Sequence, residues 1–131
     1  MLFDPVYFER ARCTDKEREE LVALALRIVG LSVKAHKDGL LALEDAAGPG
    51  DPFLAYGLEL VVSGTSSEYV RETLCTLMLA GDLKGKGFLA RMIETDGLLG
   101  IQEGSNSEML ERKLLAYLGE RIFFSPRAAK K

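Results

Sequence analysis

Apolar residues recur along this chain at intervals of three and four, the spacing that lines them up on one stripe of an α-helix. After Thr14 the series Leu21, Leu24, Ala25, Ile28, Leu31, Ser32 and Ala35 keeps that interval, with Lys16, Glu20, Arg27 and Lys34 mostly opposite. Thr14-Asp-Lys-Glu17 has the capping-box pattern that opens a helix. Gly30 inside this helix costs about 1 kcal/mol relative to alanine and suggests close helix contact there. Gly39 stops or bends the helix. Residues 40–47 read as further helix, ended by Gly48-Pro49-Gly50. Asp51-Pro52 then restarts one, with Asp as N-cap and Pro in the first helical position. The helix over 52–63 presents Phe53, Tyr56, Leu60 and Val61 along one side. Further helices are expected from about 66 to 80, 88 to 102 and 105 to 119. No run of β-branched or aromatic residues alternates with polar ones, so no strand is expected. The pattern predicts an all-α fold, a compact helical bundle of about five to six helices.

Two stretches of the pattern repeat. GLELVVSGTSSEYVRETL from Gly57 and GLLGIQEGSNSEMLERKL from Gly97 agree at Gly57/Gly97, Leu58/Leu98, Gly64/Gly104, Ser67/Ser107, Glu68/Glu108 and Leu74/Leu114. Each reads as a helix end, a glycine stop, a capped start and a second helix. Thr65-Ser-Ser-Glu68 and Ser105-Asn-Ser-Glu108 have the capping-box pattern, and Gly64 and Gly104 sit where a left-handed residue closes a helix. The bundle is thus expected to hold two helix–turn–helix hairpins, packed through Val61, Val70, Ile101 and Leu110.

A chain of 131 residues with 47% hydrophobic residues can bury a core, and its formal charge of −3 lacks the basic excess of a nucleic-acid binder. Met1–Arg12 mixes Phe3, Tyr7 and Phe8 with Asp4-Pro5, and a proline disfavours helix at the residue before it, so an irregular N-terminal arm is expected over residues 1–12. It lacks the pattern of a signal peptide, and the longest apolar run, 21–33, is too short and too interrupted to span a bilayer. Cys13 and Cys75 lie far apart without metal-ligand spacing and fit a reducing cytoplasm. Residues 120–131, with Ile122-Phe123-Phe124 and the basic Arg127, Lys130 and Lys131, read as a C-terminal tail that docks or meets a partner.

Catalytic chemistry is not evident. His36 is the sole histidine, set among Lys34, Lys37 and Asp38, and reads as a solvated residue. The acidic residues read as spread along exposed helix faces, and Cys75 as a small buried hydrophobe. The glycine loop Gly81-Asp-Leu-Lys-Gly-Lys-Gly87 lacks the spacing and the closing Ser or Thr of a phosphate-binding loop, and it follows a helix rather than a strand. The expectation is a non-enzymatic protein with no cofactor and no metal.

Two blocks carry a family resemblance. Lys37-Asp-Gly-Leu-Leu-Ala-Leu-Glu44, Asp51-Pro-Phe-Leu-Ala-Tyr-Gly-Leu-Glu-Leu-Val-Val-Ser-Gly64 and Tyr69-Val-Arg-Glu-Thr-Leu74 form the first. Arg91-Met-Ile-Glu-Thr-Asp-Gly-Leu-Leu-Gly-Ile-Gln-Glu-Gly104 and Glu111-Arg-Lys-Leu-Leu-Ala-Tyr-Leu118 form the second. In that order they resemble the cytoplasmic parts of the MotA-type flagellar stator proteins, over roughly Lys34 to Leu118. The family's two channel helices, which lie between such blocks, are replaced here by roughly residues 79–88. The resemblance therefore implies binding rather than ion-driven torque. It makes residues 13–119 a stator-like helical domain and places the family's rotor-contact positions on His36, with Lys37 beside it, and on Glu44. The implied partners are protein, such as flagellar rotor or stator components, at the cytoplasmic face of the motor; no nucleic acid and no membrane insertion are expected. A rival reading is a self-associating scaffold, a homo-oligomer joined through its exposed aromatics.

Overall fold

A computed structural model describes residues 2–125, and the described residues contain helices and no strand. The order is α1 (Pro5–Arg10), α2 (Asp15–Glu20), α3 (Val22–Asp38), a 3₁₀ turn (Leu40–Leu43), α4 (Pro52–Val62), α5 (Ser67–Ala80), α6 (Lys86–Gln102), α7 (Ser107–Ala116) and α8 (Glu120–Phe123). Five long helices, α3 to α7, make the bundle, and α6 runs through its middle against α3, α4, α5 and α7. None of the described helices is long and apolar enough to cross a membrane.

The α4–α5 and α6–α7 hairpins share one set of turn hydrogen bonds. In the first, the amide of Gly64 (φ 80°) reaches Val61 O at 3.2 Å and that of Thr65 reaches Leu60 O at 3.1 Å. In the second, Gly104 (φ 72°) reaches Ile101 O at 3.1 Å and Ser105 reaches Gly100 O at 2.9 Å. Both are Schellman closures, which use an otherwise orphaned pair of carbonyls and need the left-handed glycine. Thr65 and Ser105 are consumed in the closures, so the expected capping boxes do not form. The caps fall one residue later: Ser66 Oγ accepts from Tyr69 N at 3.2 Å and Asn106 Oδ1 from Met109 N at 3.0 Å. Glu68 and Glu108 remain in the first turns, where they favour the helix dipole. Only the expected box at Thr14 closes in both directions, with Glu17.

Glycine also sets how closely helices approach. A Cβ on Gly57 would lie 2.3 Å from Leu98 Cδ1, one on Gly97 2.5 Å from Ile28 Cγ2, and one on Gly100 2.6 Å from Leu110 Cδ1. Gly30, the expected contact glycine, is exposed with nothing within 4 Å of such a Cβ. The Gly57 gap also decides the face of α4. Leu54, Gly57, Leu58, Leu60 and Val61 turn inward, so of the expected face Leu60 and Val61 are buried, while Phe53 is half-buried and Tyr56 stays 37% exposed. Val61, Val70, Ile101 and Leu110 all belong to the one core.

Two further expectations are corrected. Residues 5–10 form a helix rather than an irregular arm. Pro5 occupies its first position, and the non-helical backbone it imposes on Asp4 (φ −85°, ψ 173°) is what an N-cap needs, with Asp4 accepting from Val6 N at 3.2 Å. Phe3 beside it is 1% exposed and joins the core. Residues 40–47 form a 3₁₀ turn and irregular turns instead of helix. Gly39 (φ 89°) swings the chain off α3, and burying Leu43 and Ala47 in a short return to α4 overrides the local helix propensity.

Candidate functional site

His36 and Lys37 occupy the last turn of α3, and Glu44 follows the 3₁₀ turn. All three are exposed, but they address different neighbours. The His36 ring, through Nε2–H, donates to the backbone carbonyl of Ser105 at 2.8 Å and so caps the α6–α7 turn. The expectation that His36 is merely solvated is therefore incomplete. Lys37 and Glu44 form no ion pair among the described residues.

Glu44 instead stands on the rim of a groove of about 760 Å³ between residues 41–48 and α4. Leu43, Ala47 and Leu58 floor it, with Leu41, 73% exposed, at its edge. The only charged side chains lining it are Glu44, Asp45 and Glu59, all exposed and without an ion-pair partner among the described residues. Asp45 is held at φ 64°, an uncommon conformation for a residue with a side chain and one that an aspartate tolerates better than most. An apolar floor with an acidic rim free of ion pairs is complementary to a segment that carries cations beside an apolar residue.

A second, partly buried cluster lies at the start of α4. Asp51 caps this helix by accepting from Leu54 N at 3.1 Å. Arg91 Nη1 donates to Asp51 Oδ1 at 3.1 Å and to Glu94 Oε1 at 2.8 Å, and its guanidinium lies 5.0 Å from the Phe53 ring centre. Glu94 is fully buried in α6, and burial first, then its hydrogen bond with Asp51, pushes its carboxyl up to about 8. Burial also raises Asp51, but its bonds to Glu94 and Leu54 N, with Arg91 and Arg27 nearby, outweigh this and leave it below the usual carboxylate range. At neutral pH Asp51 carries the charge and Glu94 the proton, the arrangement of two carboxyls that cannot both ionise. Neither residue lines the groove.

Asp96, also in α6 and 3% exposed, accepts from Tyr117 Oη at 2.6 Å and forms an ion pair with Lys113, whose Nζ lies 3.2 Å from Oδ1. With Glu111 also buried, three acids depart from the expectation of acidic residues on exposed faces. A signal existed in the sequence: Glu94 and Asp96 interrupt the apolar run from Phe88 to Ile101, and Arg91 stands one turn before Glu94. What the sequence concealed was Asp51, forty positions away from Arg91.

The remaining candidates serve structure. The end of α5 and the glycine loop after it turn carbonyls, not amides, to a cation: Arg10 donates to Leu79 O at 3.2 Å in the last turn of α5, and to Leu83 O at 2.8 Å and Gly81 O in the loop. Cys13 and Cys75 are free and half-buried, and burial raises both thiols, which weakens them as nucleophiles. No metal-ligand cluster occurs among the described residues. Compared with known protein families, curated proteins and solved structures, the chain matches none.

Proposed function

We propose that this chain is a protein-binding module that acts through the Glu44 groove, in the cytoplasm at or near a bacterial flagellar motor. The observation that carries the binding reading is the groove itself, an apolar floor rimmed by three carboxylates that have no ion-pair partner among the described residues. The stator resemblance of the two sequence blocks supplies the choice of partner, a flagellar rotor protein, and it places a rotor-contact position on the groove's own Glu44. In this reading His36 holds the α6–α7 turn and the exposed Lys37 next to it supplies a cation to the partner.

Exposed charge pairs contribute modest affinity and chiefly orient the partner, so binding should weaken with salt. Glu44→Lys should reduce capture of purified rotor proteins and impair swimming while leaving the helical content unchanged. Unaltered capture and swimming would overturn this reading.

A further inference from the structure

We infer that the Asp51–Glu94 pair is a pH-dependent latch on one end of the Glu44 groove, fastened while Glu94 keeps its proton and loosened when that proton is lost. The latch regulates the docking surface proposed above, and so rests on that reading. Gly48 and Ala55, in the first turn of α4, both line the groove, and the chain between them passes through Asp51. Ala47, before this stretch, is a fixed point: it is buried, and its carbonyl accepts from Arg27 of α3 at 2.5 Å. Gly48 (φ 74°), Pro49 and Gly50 are exposed, and a Cβ on either glycine would meet nothing within 4 Å, so no packing there opposes a swing. What holds the stretch to α6 is Asp51, which accepts from Arg91 at 3.1 Å.

This fastening suits one negative charge and not two. A single nitrogen, Arg91 Nη1, serves both acids, and the second of them, Glu94 Oε1, lies 2.8 Å from it. Glu94 is fully buried, and its Oε2 meets no donor among the described residues. Ionised, that oxygen would be a bare buried charge beside a second carboxylate, far costlier than a neutral acid in the same place. Glu94 belongs to the middle helix of the core, whereas Asp51 is half-buried at the end of an exposed turn, so relief comes by Asp51 moving away. Asp51 also caps α4 through Leu54 N, so its movement loosens the first turn of α4 with the groove's end. The charged groups acting on Glu94 are Asp51 and Arg91, and Arg27 acts on Asp51 from α3. Glu59 of α4 and Glu68, Arg71 and Glu72 of α5 are exposed, and Lys113 of α7 pairs with Asp96. Arg127, Lys130 and Lys131 of the expected tail lie outside the described residues.

Native-state hydrogen exchange of the full chain, corrected for the intrinsic effect of pH, tests this at two amides. Leu54 N donates to the Asp51 carboxylate at 3.1 Å and Ala55 N to the Asp51 carbonyl at 3.0 Å, so both report the latch. Loosening puts Glu94 in water, where it ionises at its ordinary 4.5 rather than at about 8. Protection at both amides should therefore fall as pH rises, by up to about tenfold per unit between pH 5 and 8, and level off above. Low concentrations of urea should not steepen the fall, and the Gly104 and Ser105 amides of the other turn should not share it. Glu94→Gln should remove it. Asp51→Asn, which keeps a capping side chain but removes the like charge, should end it at a lower pH. Flat protection in the parent, a fall that steepens with urea as global unfolding does, or an unchanged fall in either variant overturns the latch. Capture of purified rotor proteins at pH 6 and 8 separates the latch from the proposed function. A loosened groove is less pre-organised, so the parent should capture less than Glu94→Gln at pH 8 and equally at pH 6. Equal capture at both pH values would overturn control of the groove. No capture by either protein, with the pH response in exchange intact, would sink the proposed function and leave the latch standing.

Discussion

The α4–α5 and α6–α7 hairpins carry one local code in two environments. Each closes at a left-handed glycine, starts its second helix from a polar cap, and sets a glycine of its first helix near the equivalent leucine, Leu74 by Gly57 and Leu114 by Gly97. Each turn carbonyl also receives a side chain from the neighbouring helix: Thr65 O from Gln102, Ser105 O from His36. Yet twelve of the seventeen residues of α6 are buried, against five of the eleven of α4. Helix α6 is enclosed because each hairpin packs against the first helix of the next layer, α4 against α6 and α6 against α3. A repeated unit placed in the middle must accommodate neighbours on several sides, and the buried acids of α6 follow from that position.

The largest test concerns Glu94, which has no charged counterpart in α4, where Leu54 occupies the matching position. Between its ordinary pKa of 4.5 and the folded value of about 8, folded Glu94 keeps a proton that the unfolded chain has released. Its contribution to stability therefore falls as pH rises through that window and levels off above it. Asp51 acts in the opposite sense: held below its ordinary 3.8, it stabilises above that pH and loses the contribution as pH falls through its folded value. Glu94→Gln should flatten the decline and raise stability at pH 9 by on the order of 2–4 kcal/mol. Urea unfolding at pH 5, 7 and 9 measures this, and parallel curves for variant and parent would refute the shared proton.

Next in size are the paired glycines. Gly97→Ala drives a methyl into Ile28, which is β-branched and fully buried, whereas Gly57→Ala meets the end of the more adaptable Leu98. Overpacking costs about 1–3 kcal/mol, with Gly97 at the upper end and Gly57 at the lower. Equal shifts in thermal unfolding would mean that the central position adds nothing. Smallest are the side chains on the turn carbonyls. Gln102→Ala, at a half-buried site, should cost about 1 kcal/mol, and His36→Ala, at an exposed one, about half that. Hydrogen exchange at the Gly64 and Gly104 amides would show whether each loss stays local to its own turn.

Several of these features were legible from spacing. The Thr14 box, the Asp51-Pro52 start and the Gly39, Gly64 and Gly104 stops are local chemistry, requiring only residues within one or two turns. The misreadings have physical causes. Pro5 constrains Asp4 equally in an irregular arm and in a capped helix, so the sequence could not separate the two. The face of α4 depended on a gap at Gly57 that only Leu98 reveals. At the candidate site, Glu44 was identified through its motif, but the groove beside it requires α4 to lie against residues 41–48, which no local pattern states.

The sequence by itself determined the helices, their stops and starts, and the repetition of a hairpin, because these depend on backbone hydrogen bonds and side-chain periods within a few residues. The tertiary structure decided which hairpin would be central, which acids would share a proton, and that His36 would face one neighbour and Glu44 another. Those outcomes depend on pairs far apart in the chain, such as Asp51 with Arg91 and His36 with Ser105, whose meeting is fixed by packing rather than by local preference.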